Sequence, residues 1–480
     1  MKDEITAVIS ALPKKGITFA DARYTSTDNE VFYFEKGNLK HYVSSADRSS
    51  IGIRVLKDGC WGFSGTNDLR KNAIEKAAAR AIENAQQGAL FKKNKVKLKK
   101  MHPIKRSYAH IPEIDPFSLA KAEKLEYLLS IAQKLEGNKH IIHNYLFCEF
   151  YRQQKIYCNT EGTETDSVNY HTLPYFSVLS SDGTHVYSRT FPGHMSARKG
   201  GFEVIRKYDF KEHAEKMIKE AIDLQKAPVI EEERADIIIG GGHLALQLHE
   251  SIGHATEADR IFGMEISYAG KTFITKDMIG SFKYGSNIVN VISDSTDMES
   301  MGYHPADDEG VEAKKVDLIK NGILCNLQTS RETAALLGLE GSSNMKASYG
   351  NDYPLIRMTT CSLLPGNAGS ISDLIKNTEH GYFLDYTKTW SIDDNRHNFQ
   401  FTTEIGWKIE DGALTGIVKE PTYYGITPKF WNSCDAICSE SEWKYNGTFH
   451  CGKGEPGQIM HLSHKIAPAR FRNVACNIKA

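Results

Sequence analysis

His249-Glu250-Ser251-Ile252-Gly253-His254 puts two imidazoles and a carboxylate within six residues. Those types suit metal-assisted hydrolysis: neutral imidazoles hold a zinc ion, and a nearby carboxylate takes a proton from the attacking water. In the familiar H-E-x-x-H motif the histidines stand at i and i+4, about 40° apart around the helix. Here one extra residue separates them, and on a regular helix the two side chains would diverge by about 140°. A single turn widened to i→i+5 removes that divergence, and such turns gather at functional sites. Gly253, with the most permissive backbone, sits where the widening is needed. The competing reading is an ordinary pair of structural histidines, because a six-residue pattern also arises by chance.

The surrounding sequence predicts the elements that would hold these residues. Ala235–Gly240 reads as a short buried strand, Gly240–Gly242 as a tight turn, and His243–Ile261 as an amphipathic helix with Leu244, Leu248 and Ile252 on its inner face. Two histidines leave a catalytic zinc one protein ligand short. Glu257 and Asp259 follow too closely on the same helix and are expected to cap it or pair on its surface. Cys451 lies in the glycine-dense stretch Asn446–Gln458, where backbone passes close to something, although a loop cysteine is usually inert. Cys434 and Cys438 form a C-x-x-x-C with no second pair, a weak zinc-knuckle candidate that reads better as structural. The residues alone leave the third ligand open.

The chain has 480 residues, a length that suggests two or three domains, and its net charge is −1. Such a balance carries no global polyanion-binding signal, so any nucleic-acid or membrane contact must come from a local patch. No secretory apolar stretch opens the chain and no later run is long enough to span a bilayer. Nine scattered cysteines, an odd number, fit a reducing compartment, and the expectation is a cytoplasmic protein.

Along the chain, Glu30–Val43 and Ser50–Phe63 are β-rich and Asn67–Gln87 is an alanine-rich helix. Lys92–Arg106 is a basic run without interleaved aromatics, expected to be a solvated connector rather than a nucleic-acid contact. Helices are expected at Pro116–Glu136 and Phe210–Lys226, with β-rich sequence between them, and Pro228–Arg234 is a plausible boundary. From about Tyr268 short β-type runs alternate with turns, interrupted by brief helices at Ser330–Leu339 and Ile371–Lys376. The predicted class is α+β: a mixed α/β N-terminal half and a largely antiparallel β C-terminal half carrying the zinc-binding helix. The expected domains are 1–228, with a subdivision near 91–110 as an option, and 229–480.

The strand–glycine–helix bearing the histidine motif occurs together with Asp307-Asp-Glu-Gly310, Tyr353-Pro-Leu-Ile-Arg357-Met358-Thr359, Pro428-Lys-Phe430-Trp431, Cys451-Gly and Ser463-His-Lys-Ile-Ala-Pro-Ala-Arg-Phe471. With Gly52-Ile-Arg54-Val, Gly59-Cys-Trp61-Gly62-Phe63 and Asn159-Thr-Glu161-Gly162, this set resembles the TldD/PmbA family of metalloproteases nearly end to end. In that family the TldD-type subunit carries the H-E-x-x-x-H and a C-terminal cysteine as third zinc ligand, whereas the TldE/PmbA type lacks them. The resemblance therefore implies one Zn²⁺ held by His249, His254 and Cys451, with Glu250 as the general base. It implies hydrolysis of short or unfolded peptides, including peptide-precursor processing, and a dimer with itself or with a TldE/PmbA-like subunit. A peptide taken up by strand addition to an exposed edge in the C-terminal half would suit varied sequences. His450, directly before Cys451, is an alternative donor. The rival reading, from the family's older label of DNA gyrase modulator, is a non-catalytic regulatory or binding protein.

Overall fold

The fold is taken from a computed structural model that describes residues 1–12, 16–266 and 270–477. It is α+β, as expected. The N-terminal half is organised by one sheet in the order 60–66, 38–57, 17–35, 141–159, 164–181, 105–109, with two further short strands on 164–181. All pairings are antiparallel except that of 105–109 with 164–181. The β-rich stretches 30–43 and 50–63 prove each to straddle a hairpin, turning at Lys36-Gly37 and Asp58-Gly59. All four turn residues have positive φ, which matches the turn to the right-handed strand twist.

Two apolar cores load this sheet. At one end Ala20, Ala22, Ile51 and Ile53 pack against helices Lys2–Ser10 and Lys71–Ala89. At the other, Phe32, Phe34, Phe150 and Phe176 pack against Lys121–Ala132 and Phe210–Asp223. The basic run is largely exposed over 92–104, but it is strapped down rather than free. Val96 is buried and its N–H reaches the Gly59 carbonyl, while Lys99 pairs with Glu340 at 2.9 Å.

In the C-terminal half, strands 380–392, 233–239, 469–476, 422–426 and 398–410 pair in that order, and 398–410 pairs back to 380–392. Five strands thus close a ring, which leaves them no unpaired edges inside it. The pairing of 380–392 with 233–239 is parallel and the others in the ring are antiparallel. The short helices fall at Arg331–Leu337 and Ile371–Lys376, each opened by a serine capping box, and a further helix, Thr427–Asn432, had no sequence signal strong enough to predict it. Tyr268, taken from sequence as the change of character, lies outside the described residues. The hairpin 444–453/458–466 stands apart as its own two-stranded sheet.

The halves meet through ion pairs centred on two buried arginines. Arg54 binds Asp21 at 2.6 Å and Glu309 at 3.0 Å, and Arg331 makes a two-pronged contact with Glu161 at 2.8 and 2.9 Å. The Asp307–Gly310 and Asn159–Gly162 motifs are therefore junction pieces, and Gly310 is needed there: a Cβ would lie 2.6 Å from Asn159 Nδ2.

Candidate active site

Strand Glu233–Ile239 feeds the motif helix through Gly240, where a Cβ would sit 2.2 Å from the Asp385 carboxylate. The helix differs from the sequence expectation in two ways. It starts at Gly241, so Gly241 and Gly242 are helical rather than part of a turn, and it is not continuous to Ile261. Regular α-helix runs to Leu248, a π-helical turn covers His249–Gly253, a 3₁₀ turn covers His254–Thr256, and Ala258–Ile261 resumes. The widened turn thus occupies the motif itself.

Widening a turn displaces carbonyls from the regular ladder, and buried carbonyls need partners. Tyr284 OH donates to the Ser251 carbonyl at 2.5 Å, Thr256 Oγ1 to that of Ile252 at 2.9 Å, and Gln328 Nε2 to that of Gly253 at 2.7 Å. Trp431 Nε1 donates to Ser251 Oγ at 2.9 Å. Gly253 itself has ordinary right-handed dihedrals, φ −53 and ψ −64. The reason for glycine is steric, not conformational: a Cβ there would lie 2.1 Å from Met358 Sδ.

The turn brings His249 and His254 onto one side, ring centroids 4.7 Å apart, and Cys451 meets them from the separate hairpin. One donor atom from each of the three lies within 4.8 Å of the others, and all three residues are buried. Cys451 Sγ is 3.6 Å from His254 Nε2.

Hydrogen bonds assign the imidazole tautomers. His464 Nδ1 donates to the Cys361 carbonyl at 2.6 Å, so the neutral ring offers Nε2 as an acceptor. His249 Nδ1 donates to that Nε2 at 2.9 Å, leaving the lone pair of His249 Nε2 free. His254 Nδ1 faces Glu257 Oε2 at 3.0 Å and donates to it, again freeing Nε2. Arg260 Nη2 also approaches His254 Nδ1 at 3.3 Å, but Arg260 has its own 2.8 Å bond from Nε to Glu257, and the carboxylate is the better partner for the imidazole proton.

Burial pushes His249 down to about 4 and also lowers His254, so both are neutral at physiological pH. Burial raises the thiols of Cys148, Cys158, Cys361, Cys434, Cys438 and Cys476. Cys451 goes the other way: burial opposes the thiolate, but Arg357 and His254 outweigh it and hold the thiol below its ordinary value. Arg357 also donates to the Cys451 carbonyl. Two neutral nitrogen donors and one thiolate-prone sulfur, each with a lone pair turned to a common point, form a fitting donor set for a metal ion.

Glu250 lies beside this point with both oxygens engaged by the 380–392/398–410 hairpin. Trp390 Nε1 donates to Oε1 at 3.1 Å, and Arg396 Nη1 to Oε2 at 2.6 Å. Glu257 and Asp259 are not on the helix surface as expected. Glu257 is fully buried, and although burial opposes its charge, Lys453, His254 and Arg260 hold its carboxyl well below the usual range. Lys453 pairs with Glu257 at 3.2 Å and with Asp259 at 2.8 Å. His450 is exposed and does not join the donor set. Cys434 and Cys438 are buried and have no place in it either.

Sequence reasoning missed Trp390, Arg396, Glu257, Lys453 and His464 as parts of the site. His464 and Lys453 lay within stretches already noticed and Glu257 was placed on the helix surface, whereas Trp390 and Arg396 carry no local signal.

Family models for the PmbA/TldA metallopeptidase match residues 20–85 (domain 1) and 232–463 (C-terminal domain). A metalloprotease of Methanothermobacter thermautotrophicus is 28% identical over 458 residues, covering 95% of each chain. A protein of Saccharolobus solfataricus named zinc metalloprotease TldD homolog is 24% identical, covering 88% of this chain and 90% of its own. Among solved structures, a protein from Thermotoga maritima described as a modulator of DNA gyrase superposes with a TM-score of 0.76 at 17% identity, covering 99% of both chains. TldE from Thermococcus kodakarensis does so with a TM-score of 0.70 at 17% identity and the same coverage. With both terminal segments matched by the family's own models and curated relatives aligned over nearly its whole length, this chain belongs to the PmbA/TldD family of metallopeptidases.

Proposed function

We propose that this chain is the zinc-bearing, catalytic type of subunit: a peptidase of the H-E-x-x-x-H kind that hydrolyses peptide bonds in short or unfolded peptides, peptide precursors included. His249 Nε2, His254 Nε2 and Cys451 Sγ hold the zinc. Their spacing supports the assignment, since two ligands at about 2.1 and 2.3 Å from a tetrahedral ion stand about 3.6 Å apart, the separation found between Cys451 Sγ and His254 Nε2. When bound, zinc supplies Lewis acidity at the scissile carbonyl.

The remaining work falls to the chain. Glu250 takes the proton of the attacking water and returns it to the departing amine. Oε1, whose partner among the described residues is the neutral Trp390 indole, is the oxygen that carries the proton, while Oε2 stays with the Arg396 guanidinium. Those two contacts fix the carboxylate plane without a flexible search. Residues 229–480 carry this chemistry, and 1–228 buttress it through the Asp307–Gly310 junction.

The observation that carries the reading is the convergence of three donors, two neutral and one thiolate-prone, from positions 249, 254 and 451. The protein works in the cytoplasm as a dimer, with itself or with a TldE-like partner; the likeness to a protein named TldE supports the latter. No helix among the described residues is long and apolar enough to cross a membrane.

Elemental analysis of the purified protein, with cleavage of an unstructured peptide before and after chelation, tests the proposal. One zinc per chain and chelator-sensitive cleavage, alone or with a partner, is the expected result. Zinc-free protein without cleavage under either condition would favour the regulatory reading that the description of the Thermotoga neighbour suggests.

A further inference from the structure

A cavity of about 710 Å³ opens between the long N-terminal strands and the C-terminal half. It borders the proposed metal site, since His450 and Gly452, on either side of Cys451, both line it. Its wall carries Lys346, His171, His304 and His461, with Tyr151 and Phe449 as apolar surface.

Lys346 is partly buried, and no described residue accepts a hydrogen bond or ion pair from its Nζ. Asp308, the acidic group acting on it, is already committed. That carboxylate binds Lys155 Nζ at 2.9 and 3.2 Å and the Ala347 N–H at 2.6 Å, with Arg23 at 3.9 Å. The lysine is nevertheless held in place. Its neighbours' N–H groups are pinned, Met345 to Asp307 Oδ2 at 3.1 Å and Ala347 to Asp308 Oδ2. One imidazole nitrogen on the same wall, His171 Nε2, is buried without a partner among the described residues, in a side chain only 7% exposed. His304 is already held by Ser343 Oγ at 3.0 Å and by the Gly302 backbone.

A half-buried ammonium without a counter-charge is costly, and so is an unpaired buried nitrogen, unless a ligand completes them. Burial and the neighbouring Lys155 press the Lys346 ammonium down to about 7 against the pull of Asp308. Glu149 and Asp352 also line the cavity, but neither pairs with Lys346, Glu149 accepting from Asn29 and Asp352 from the Tyr349 N–H. We propose that this cavity binds a carboxylate group of the peptide substrate, with the Lys346 ammonium as its counter-ion and the His171 imidazole beside it. The substrate's identity as a peptide rests on the peptidase reading above. Within a peptide only two sources exist for that group, the C-terminal carboxylate and an acidic side chain.

The test uses full-length Glu250→Gln protein, which should bind without turnover, and three N-terminally labelled neutral-core heptapeptides followed by fluorescence anisotropy. One has a free C-terminal carboxylate, the second is its C-terminal amide, and the third is that amide with one internal glutamate. One or both carboxylate-bearing peptides should bind about tenfold or more tighter than the neutral amide, the scale of a charge-assisted hydrogen bond. Which of the two gains identifies the source. Lys346→Met should abolish the preference and Lys346→Arg should keep part of it. Equal or undetectable binding of all three peptides, or a preference that survives in Lys346→Met, overturns the proposal. The peptide comparison requires no change at Lys346, so it remains decisive if the methionine variant misfolds. Because binding is read without hydrolysis, zinc-dependent cleavage by the unsubstituted protein together with no carboxylate preference would remove this site alone and leave the peptidase reading standing.

Discussion

His249 gives its Nδ1 proton to His464, 215 positions later, across 2.9 Å. The acceptor ring is itself fixed by its own Nδ1–H on the Cys361 carbonyl. A chain of two oriented imidazoles therefore ends in a nitrogen lone pair turned towards Cys451 and His254. Glu257 does the same for His254 with a carboxylate. Each candidate histidine ligand thus has its tautomer set by a different kind of outer partner.

Removing the His464 acceptor should weaken the metal rather than the fold. In His464→Phe, ring volume is kept but the His249 Nδ1–H is left unpaired. Zinc affinity, measured by competition with a chromophoric chelator, should fall about 10–100-fold while circular dichroism stays unchanged. Unaltered affinity would mean that His249 does not need this partner.

Glu250→Gln keeps the side-chain shape and one of the two acceptor contacts, with Trp390 or Arg396, but cannot take a proton. Zinc content should be retained and peptide turnover should drop about 10²–10⁴-fold. Near-normal turnover would refute the general-base role without touching the metal assignment.

Among the cysteines whose thiols are shifted, Cys451 alone is lowered. Cys451→Ser should lose zinc, or most of its affinity, together with activity. Cys434→Ser and Cys438→Ser should keep both, because these thiols are not part of the donor set. A zinc-loaded, active Cys451→Ser protein would end the assignment, and equilibrium dialysis with elemental analysis reads it directly.

Gly253→Ala places a methyl 2.1 Å from Met358 Sδ, closer than any real contact. Overpacking of this kind destabilises by about 1–3 kcal/mol, visible as a lowered Tm. Met358→Ala in the same chain should recover part of the loss, giving a non-additive pair. Strict additivity of the two changes would show that the glycine is needed for another reason.

Changing the exposed Lys92, Lys93, Lys95 and Lys97 to glutamine should leave peptide cleavage nearly unchanged. Tight duplex-DNA binding by the unsubstituted protein, steeply salt-dependent and lost in this variant, would instead support a regulatory role on DNA.

The helix-borne part of the site is legible in the sequence because its signals are local. An i+5 spacing of histidines on a helix demands a widened turn, and one is found at those residues. Asp58-Gly59 is likewise a turn signal whose two positive φ angles close a hairpin. Glu257 shows where local reasoning ends. Three positions after His254 on a regular helix it would share the surface, but it adopts an extended conformation, φ −75 and ψ 117, after the 3₁₀ turn and points inward. Trp390 and Arg396 reach Glu250 from a hairpin about 140 positions away, a pairing that no periodicity encodes. The role of Cys451 came from family resemblance, not from spacing.

Cys451 and His254 are separated by 197 positions and meet because a hairpin outside the larger sheets packs back onto the helix. A bond from both to one ion would act as a cross-link closing a very long loop. Loop-closure entropy grows only as the logarithm of length, so closing this loop instead of a 20-residue one adds roughly 2 kcal/mol. The pairing of strands 233–239, 380–392 and 469–476 already bears most of that closure. Sequence distance between the ligands is therefore a small obstacle, and an ion would add one more tie to a hairpin already held by Lys453 on Glu257 and Asp259 and by His464 on the Cys361 carbonyl.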